Sequence, residues 1–275
     1  MPARGTGRAK GAPNIESRAI HTLREIAETA GRHLMGYFGS ALTPRPKTRT
    51  SFVTEADEST ERLIREALAG AFGAEAVLGE EFGLGAEPDG AWWVIDPIDG
   101  TSNFVAGVPL FCVSIARIEE RRTVMAVTHD PNTGETYHAV RGEGAYLGDH
   151  RLTIDATDRG ALTLLAIRHS LIGRHPQLPD QLPTDKLRSL GTACLELAYI
   201  AASRIQGMIA RRIHLWDFAA GALLVEEAGG VVHSAGGRPL FPLEATARDY
   251  QKLEVPLVAG TPCAVALLES VVRLD

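Results

Sequence analysis

The chain has 275 residues, of which 45% are apolar and 23% are charged. This length and composition are typical of a globular protein with a well-buried core. The net charge of -6, without a basic stripe, argues against a nucleic-acid-binding protein and against a nuclease. No run of 18 apolar residues is present, so the sequence predicts no membrane contact through a spanning segment.

The N-terminal segment and the cysteines both indicate the cellular compartment in which the protein is expected. Residues 1–13 contain glycines and basic residues but no apolar run, which predicts a disordered tail and not a secretory signal. The three cysteines, Cys112, Cys194 and Cys263, are widely separated and show no zinc-ligand spacing. We therefore expect reduced, buried thiols and a cytoplasmic location.

The first third of the chain predicts two amphipathic helices and one short strand. Apolar residues recur at helical spacing over Ile15–Phe38, and a polar loop or edge hairpin follows over Leu42–Arg49. The segment Thr54-Glu55-Ala56-Asp57 resembles a capping box and predicts the start of the second helix. The next predicted strand, Ala76–Leu78, ends at Gly79-Glu80-Glu81.

The middle of the chain predicts a sheet of antiparallel strands joined by short turns. The predicted strands are Trp92–Asp96, Leu110–Ile118, Thr123–His129, Glu135–Val140 and Ala145–Leu147.

From about residue 155 strands and helices alternate, which is typical of an α/β arrangement. The predicted elements are strands at Leu162–Arg168, Leu187–Leu190, Ile205–Ala210, Val231–His233 and Leu257–Gly260, helices at Gly191–Ser203, Asp217–Ala228 and Pro262–Leu274, and a proline-rich loop at Leu171–Thr184. The change of pattern predicts an N-terminal α+β part, residues 14–155, which carries most of the candidate site, and a C-terminal α/β part, residues 156–275, which completes it.

The segment after the Trp92–Asp96 strand carries the clearest chemical signal. Asp96 follows an apolar run, and Asp99 lies three residues further on, directly before Gly100-Thr101-Ser102. Two carboxylates this close repel each other unless a cation lies between them. Glycine and hydroxyl residues after a strand offer backbone N–H groups that suit an anion. The segment therefore predicts a binding site for a divalent cation beside a binding site for a phosphate.

Further acids stand at the ends of predicted elements. Asp57 and Asp217 open helices, and Glu80 follows a short strand. Taken singly, the two aspartates would be helix caps and Glu80 a surface acid. Taken together with Asp96 and Asp99, they form a set suited to Mg²⁺, which prefers carboxylate oxygens. We expect Asp96 to bridge two ions, with Glu80 on one side and Asp99 and Asp217 on the other.

Five separated motifs carry a family resemblance. They are Val53-Thr54-Glu55-Ala56-Asp57, Gly79-Glu80-Glu81, Asp96-Pro97-Ile98-Asp99-Gly100-Thr101-Ser102-Asn103-Phe104, Gly191-Thr192-Ala193 and Trp216-Asp217-Phe218-Ala219-Ala220-Gly221. In order and spacing they resemble the motifs of the inositol monophosphatase family. The resemblance implies an αβαβα layered sandwich of the inositol monophosphatase and fructose-1,6-bisphosphatase type. It also implies hydrolysis of a small phosphorylated metabolite, two or three Mg²⁺ per active site, a homodimer, and inhibition by Li⁺.

The resemblance also implies a role for each matching residue. The implied metal ligands are Glu80, Asp96, the carbonyl of Ile98, Asp99 and Asp217. Thr101, hydrogen-bonded to Asp57, would orient the attacking water, with Glu80 as a further catalytic residue. The implied substrate contacts are Gly100, Thr101, Ser102, Gly191, Thr192 and Ala193. Arg211 is a further candidate for substrate binding because of its charge, at a position where small or apolar residues are common in the family.

The substrate is the least determined property. Many family members have an acid seven positions before the aspartate of the Trp-Asp motif, where it binds sugar hydroxyls, but this chain has Ala210. Arg211 and Arg212 follow it, and they either hold a second phosphate or carboxylate, or are solvated or paired with acids across a dimer. Inositol 1-phosphate is the default substrate.

Other substrates and one other class of function remain open. The alternative substrates are NADP(H), a sugar bisphosphate, 3′-phosphoadenosine phosphate and histidinol phosphate. A regulatory binding protein that keeps the fold without catalysis is the alternative function. A protein of that class is expected to lack one of the acids or the threonine of the motifs, whereas this chain retains them all.

Overall fold

The computed structural model describes residues 15–40, 43–46, 52–85, 90–157, 162–184, 186–243 and 250–272. The tail predicted to be disordered, residues 1–13, lies outside these ranges. No helix within them combines the length and the apolar character that crossing a bilayer requires.

The structure contains eight α-helices within the described residues. They are α1 (Ile15–Met35), α2 (Glu55–Phe72), α3 (Thr101–Val105), α4 (His169–Ile172), α5 (Leu178–Gln181), α6 (Ala193–Ala201), α7 (Leu215–Glu227) and α8 (Pro262–Val271).

The larger sheet has eight strands and follows a small edge hairpin. The hairpin pairs β1 (Arg45–Pro46) with β2 (Phe52–Val53). The strands of the sheet are β3 (Ala76–Gly79), β4 (Gly83–Leu84), β5 (Trp92–Asp99), β6 (Cys112–Glu119), β7 (Arg122–Asp130), β8 (Glu135–Val140), β9 (Gly144–Leu147) and β10 (His150–Arg151). Their order is β10-β9-β8-β7-β6-β5-β3-β4, and all neighbours are antiparallel except β3 and β5.

The smaller sheet has five strands. They are β11 (Leu165–Ile167), β12 (Leu187–Arg188), β13 (Gly207–His214), β14 (Val231–Ser234) and β15 (Glu254–Gly260). The order is β12-β11-β13-β15-β14, with β11 parallel to both of its neighbours and β15 antiparallel to both of its own.

The elements stack as helices, sheet, helices, sheet and helix. Helices α1 and α2 cover one face of the eight-stranded sheet, α6 and α7 lie between the two sheets, and α8 covers the outer face of the five-stranded sheet. The αβαβα layered fold expected from the sequence is confirmed. Because both faces of the eight-stranded sheet are covered, its interior strand β5 has no solvent face.

The apolar run of β5 illustrates this packing. Trp93 and Ile95 face the core formed with α1 and α2, whereas Trp92 and Val94 face the core formed with α6 and α7. Alternate side chains of a strand point to opposite faces, so a continuous apolar run is what a strand between two helical layers requires. Burial on both sides makes β5 a rigid support for the acids at its end.

Three predictions from the sequence were wrong in detail. The segment Leu171–Thr184 contains α4 and α5, because Leu171 and Leu178 are buried anchors and Pro179 lies in the first helical turn, where its missing N–H is harmless. Strand β5 does not stop at Asp96 but continues to Asp99 past a register irregularity. Cys263 is exposed near the start of α8, while Cys112 and Cys194 are buried as expected.

Candidate metal centre

Two acids of the candidate site stand at an irregular end of β5. Asp96 pairs with Ser114 of β6 and Asp99 pairs with Cys112, with a register shift between them. Pro97 has no N–H to donate to the ladder. The N–H of Ile98 donates to Asp96 Oδ1 instead, at 3.0 Å. This local turn brings both carboxylates to the same end of the strand.

A third acid reaches the same place from the other sheet. Strand β13 leads directly into α7, and Asp217 in the first turn of α7 accepts the N–H of His214 at 3.1 Å. Its side chain is therefore a helix cap, and it also meets the acids of β5. Carboxylate oxygens of Asp96, Asp99 and Asp217 all lie within 4.8 Å of one another.

The charges in this group are mutually unfavourable. Burial raises the pKa of Asp96 well above its ordinary value, and the carboxylates of Glu80, Asp99 and Asp217 raise it further. Burial, and then Asp99, raise the pKa of Asp217 to about 8. Asp96 Oδ2 is buried without a hydrogen-bond partner among the described residues. An orphaned carboxylate oxygen among neighbouring acids fits a divalent cation.

Asp99 is held by the segment that precedes α6. The hydroxyl of Thr192 donates to Asp99 Oδ2 at 2.7 Å, and the N–H of Cys194 donates to the same oxygen at 2.6 Å. These bonds lower the pKa of Asp99, although burial raises it more. Both bonds use Oδ2, so among the contacts of the described residues Oδ1 is the oxygen left for a cation.

Asn103 joins the loop before α6 to the turn after β5. Its amide donates to the carbonyls of Leu110, at 2.7 Å, and Leu190, at 2.8 Å. A Cβ on Gly191 would lie 3.0 Å from this amide nitrogen, so a glycine allows the close approach. Gly191, Thr192 and Ala193 are thereby placed beside the Asp99 end of β5, where the family resemblance implies substrate contacts.

The turn after Asp99 depends on a glycine. Gly100 has a φ of 98°, and a Cβ there would lie 2.8 Å from the carbonyl oxygen of Leu110. Gly100 is the residue before α3, and the first N–H groups of a helix have no acceptor within it. These amides are the predicted phosphate donors. Ser102 lies exposed in the same turn.

Asp57 and Thr101 lie in contact across the site. The N–H and hydroxyl of Thr54 donate to Asp57 Oδ2 at 2.7 and 2.6 Å, which completes the capping box of α2. The other oxygen, Oδ1, lies 3.2 Å from Thr101 Oγ1, and the same hydroxyl lies 3.1 Å from the carbonyl oxygen of Ile98. Asp57 is therefore both a helix cap and the partner of Thr101.

Glu80 reaches the acids through the parallel pairing of β3 and β5. Gly79 of β3 pairs with Ile95 of β5, so Glu80 and Asp96 are the next residues along the two neighbouring strands. The partly exposed Glu80 lies near enough to raise the pKa of both Asp96 and Asp217.

The two consecutive arginines after Ala210 behave differently. Arg212 lies 3.5 Å from Glu254, and both side chains are exposed or nearly so. For the partly buried Arg211, the structure shows no ion pair or hydrogen bond among the described residues. Within the described residues, the structure also shows no hydrogen bond between Ser102 and the acids. The structure therefore brings Asp96, Asp99 and Asp217 together, and within the described residues it shows no hydrogen bond or ion pair that joins Arg211 to them.

Two charged residues near the acids were not predicted as part of the site. Arg168 follows β11, and its charge lowers the pKa of both Asp99 and Asp217. Glu196 of α6 is buried, which raises its pKa to about 7, and it accepts the N–H of Leu190 at 2.9 Å. The alternation of strands and helices offered a signal for Arg168, because the carboxyl ends of parallel strands lie at one edge of a sheet.

Comparison with known proteins agrees with this geometry. A model of the inositol monophosphatase family matches residues 16–260. An inositol-1-monophosphatase of Rhizobium meliloti is 38% identical over 238 residues, which cover 82% of this chain and 89% of the relative. The Nus factor SuhB of Escherichia coli K12 is 34% identical over 260 residues, covering 90% and 94%.

Solved structures show the same architecture. The extragenic suppressor protein suhB from Bartonella henselae superposes with a TM-score of 0.81 at 30% identity, covering 92% of this chain and 98% of the other. An IMPase from Thermotoga maritima superposes with a TM-score of 0.78 at 28% identity, with the same coverage.

Proposed function

Because the chain belongs to the inositol monophosphatase family, we propose that it is a magnesium-dependent phosphatase that hydrolyses a small phosphomonoester. The observation that carries the proposal is the convergence of Asp96, Asp99 and Asp217 within 4.8 Å, from two different sheets. Such a group has no structural advantage of its own, because burial raises the pKa of all three acids and repulsion raises the pKa values of Asp96 and Asp217 further. A site that holds acids together despite this burial and repulsion is typical of metal-dependent catalysis.

We propose two or three Mg²⁺ ions per site. The residues that would hold them are Glu80, Asp96, the carbonyl of Ile98, Asp99 and Asp217. When bound, the ions lower the pKa of a water molecule and stabilise the charge on the phosphoryl oxygens. The bonds from Thr192 and Cys194 to Asp99, and from His214 to Asp217, keep these carboxylates from rotating before a cation arrives.

We assign the positioning of the attacking water to Thr101 and Asp57. The hydroxyl of Thr101 donates to Asp57 Oδ1, so its lone pairs can accept a hydrogen bond from the water, and its own proton can pass to Asp57 as the water gives one up. Asp57 cannot turn away, because Oδ2 is held by two donors from Thr54. The pair thus orients the water and offers a route for its proton, and Glu80 is a second acceptor at the same site.

The phosphate is assigned to the turn between β5 and α3. The N–H groups of Gly100 and Thr101 and the hydroxyl of Ser102 provide donors that suit phosphoryl oxygens. The leaving alkoxide would lie toward the N-terminus of α7, where the helix dipole favours negative charge. Gly191, Thr192 and Ala193 border the same space and would contact the organic part of the substrate.

We propose a substrate that carries a second anionic group. Ala210 offers no acceptor for a sugar hydroxyl, which weakens the case for inositol 1-phosphate. Ile167 pairs with Ile209 on the parallel strands β11 and β13, and Arg168 and Arg211 follow that pair by one and two residues, with Arg211 at a register irregularity of β13. Two guanidinium groups there suit a second phosphate or a carboxylate.

A panel of phosphomonoesters tests the proposed activity. The substrates are inositol 1-phosphate, fructose 1,6-bisphosphate, NADP⁺, 3′-phosphoadenosine phosphate and histidinol phosphate, each with and without Mg²⁺. We expect Mg²⁺-dependent phosphate release that Asp96→Asn abolishes, with the substrates that carry a second anionic group preferred. If none of these compounds is hydrolysed with Mg²⁺ present, the enzymatic proposal is wrong.

A regulatory role is a second candidate, because several relatives are named Nus factor SuhB. The contact between Thr101 and Asp57 favours catalysis, since a protein that only binds a partner has no need of it. The substrate panel separates the two candidates, because a purely regulatory protein would release no phosphate from any substrate.

We also propose a homodimer in the cytoplasm and inhibition by Li⁺. Sedimentation equilibrium measures the oligomeric state directly. A Li⁺ titration of the best substrate tests the inhibition, with K⁺ at equal ionic strength as the control.

A further inference from the structure

Glu61 of α2 lies outside the acidic cluster but contacts the turn that carries Glu80. Its side chain is completely buried. Glu61 Oε2 accepts the N–H of Glu81 at 2.8 Å, and Oε1 accepts the N–H of Phe82 at 3.3 Å. The two amides that follow Glu80 are therefore fixed by one carboxylate from a neighbouring helix.

Arg65, one helical turn further along α2, completes this contact. Its Nε donates to Glu61 Oε1 at 2.8 Å, which balances the buried charge. Its two other nitrogens donate to the carbonyls of Val77, at 3.1 Å, and Gly83, at 2.6 Å. Arg65 thus binds the strand before the turn and the strand after it, while Glu61 binds the turn itself.

Gly79 makes the approach of Glu61 possible. A Cβ at this position would lie 2.1 Å from Glu61 Oε1, closer than any two such atoms can come. The glycine that precedes Glu80 therefore gives the space in which Glu61 reaches the backbone. Gly79, Glu61 and Arg65 form one structural unit, which we call the α2 clamp.

We propose that Glu61 is a positioning residue for metal binding, and that the α2 clamp sets the direction of the Glu80 carboxylate toward Asp96. The turn from Glu80 to Phe82 is short and partly exposed, so without the clamp its backbone would be free to rotate. A hydrogen-bonded support behind a metal ligand commonly changes metal affinity by 10- to 100-fold. The inference rests on the proposed metal-dependent function, because it assigns Glu80 as a ligand.

Substitution of Glu61 tests the inference without a substrate. In Glu61→Gln, one amide hydrogen bond can survive, but the side-chain NH₂ group would face a second donor and the ion pair with Arg65 is lost. We expect calorimetric titration with Mg²⁺ to show affinity weakened by about tenfold. The control is Glu66→Gln, an exposed position on the same helix, which should leave the affinity unchanged.

Hydrogen exchange of the metal-free protein supplies an independent readout. In Glu61→Gln the amides of Glu81 and Phe82 should exchange faster than in the wild type, while amides of α7 should keep their rates. If Glu61→Gln does not fold, Arg65→Lys takes its place. It keeps the charge, but a single ammonium group cannot hold both Val77 and Gly83, so a weaker affinity for Mg²⁺ is again expected.

The outcomes separate this inference from the proposed function. If the wild type binds Mg²⁺ and folded Glu61→Gln binds it equally well, the positioning role is wrong and the proposed function stands. If the wild type binds no Mg²⁺ at all, the metal-dependent function itself is wrong. Faster exchange together with unchanged affinity would make the α2 clamp purely structural and would also overturn the inference.

Discussion

The floor and the mouth of the candidate site are built on opposite principles. The floor consists of Asp57, Asp96, Asp99 and Asp217, and each of these carboxylates accepts at least one backbone N–H. We assign the mouth to Ser102, Arg168 and Arg211, which are partly or fully exposed. The floor is acidic and held in place by hydrogen bonds, with three of its acids buried and Asp217 partly exposed, whereas the mouth is more exposed and carries positive charge.

This contrast indicates a division of labour between chemistry and specificity. Holding several carboxylates together requires fixed hydrogen bonds, because otherwise repulsion would drive the side chains apart. A mouth that recognises part of a substrate needs matching charge but not the same rigidity. Changes to the floor should therefore remove activity for every substrate, and changes to the mouth should alter the choice among substrates.

The largest effect is expected from Asp96→Asn. The amide removes the carboxylate that we expect to bridge two ions, and loss of a ligand should exceed the 10- to 100-fold effect typical of changes in the groups that hydrogen-bond to a ligand. We expect activity to fall by a factor of at least about 100 on all substrates. The melting temperature of the metal-free variant should be no lower than that of the wild type, since burial and nearby charges disfavour the ionised acid.

Turnover and calorimetric melting measure these two effects, with the exposed Asp180→Asn as the control. Full activity in Asp96→Asn would show that Asp96 bridges no ions. Equal loss in the control would show that the effect is not specific to the floor.

A selective effect is expected from Arg211→Ala. Loss of a charge-assisted hydrogen bond should raise KM by roughly tenfold for substrates with a second anionic group. Simple monoesters should be unaffected, because they present no group for Arg211 to bind. Arg212→Ala is the matched control, since that side chain faces Glu254. An equal effect of Arg211→Ala on both classes of substrate would contradict the assignment of the mouth.

The smallest effect concerns Glu196, which lies behind the floor. Burial raises its pKa in the folded protein to about 7, above its ordinary value of 4.5. Its contribution to stability is therefore complete below about pH 4.5 and is lost as the pH rises through about 7. Glu196→Gln keeps an acceptor for the N–H of Leu190 and should remove this pH dependence. The free energy of unfolding of the variant relative to the wild type should therefore be about 1–3 kcal/mol more favourable at pH 8 than at pH 5.

Urea unfolding of wild type and Glu196→Gln at the two pH values measures the difference. Saturating Mg²⁺ in all samples keeps the floor acids in the same state in both proteins. Parallel pH profiles for the two proteins would show that Glu196 does not titrate in this range.

The sequence predicted the floor better than the mouth for a physical reason. The acids at Asp96 and Asp99 are neighbours in the chain, so their repulsion is visible without a structure. Asp217 and Asp57 also serve as helix caps, which leave a local signature. Arg168 depends on the pairing of β11 with β13, and Glu61 depends on the packing of α2 against a turn, so neither has a local signal.

The family resemblance implied the layered fold, but some details had no signal in the sequence. The alternation of strands and helices by itself predicted only an α/β arrangement of the second half. The prolines of Leu171–Thr184 masked two short helices whose buried leucines become apparent only with the core that receives them. The continuation of β5 past Asp96 was hidden because the irregularity depends on a side-chain hydrogen bond to Ile98.

Calorimetric titration of the metal-free protein with Mg²⁺ tests the central assignment most directly. Because burial and nearby acids raise the pKa of Asp217 to about 8 in the absence of a metal, we expect Mg²⁺ to bind with release of protons and with an affinity that rises toward pH 8. Asp96→Asn should bind much more weakly under the same conditions. Absence of binding in the wild type, or equal binding in the variant, would contradict the assignment of Asp96, Asp99 and Asp217 as a metal centre.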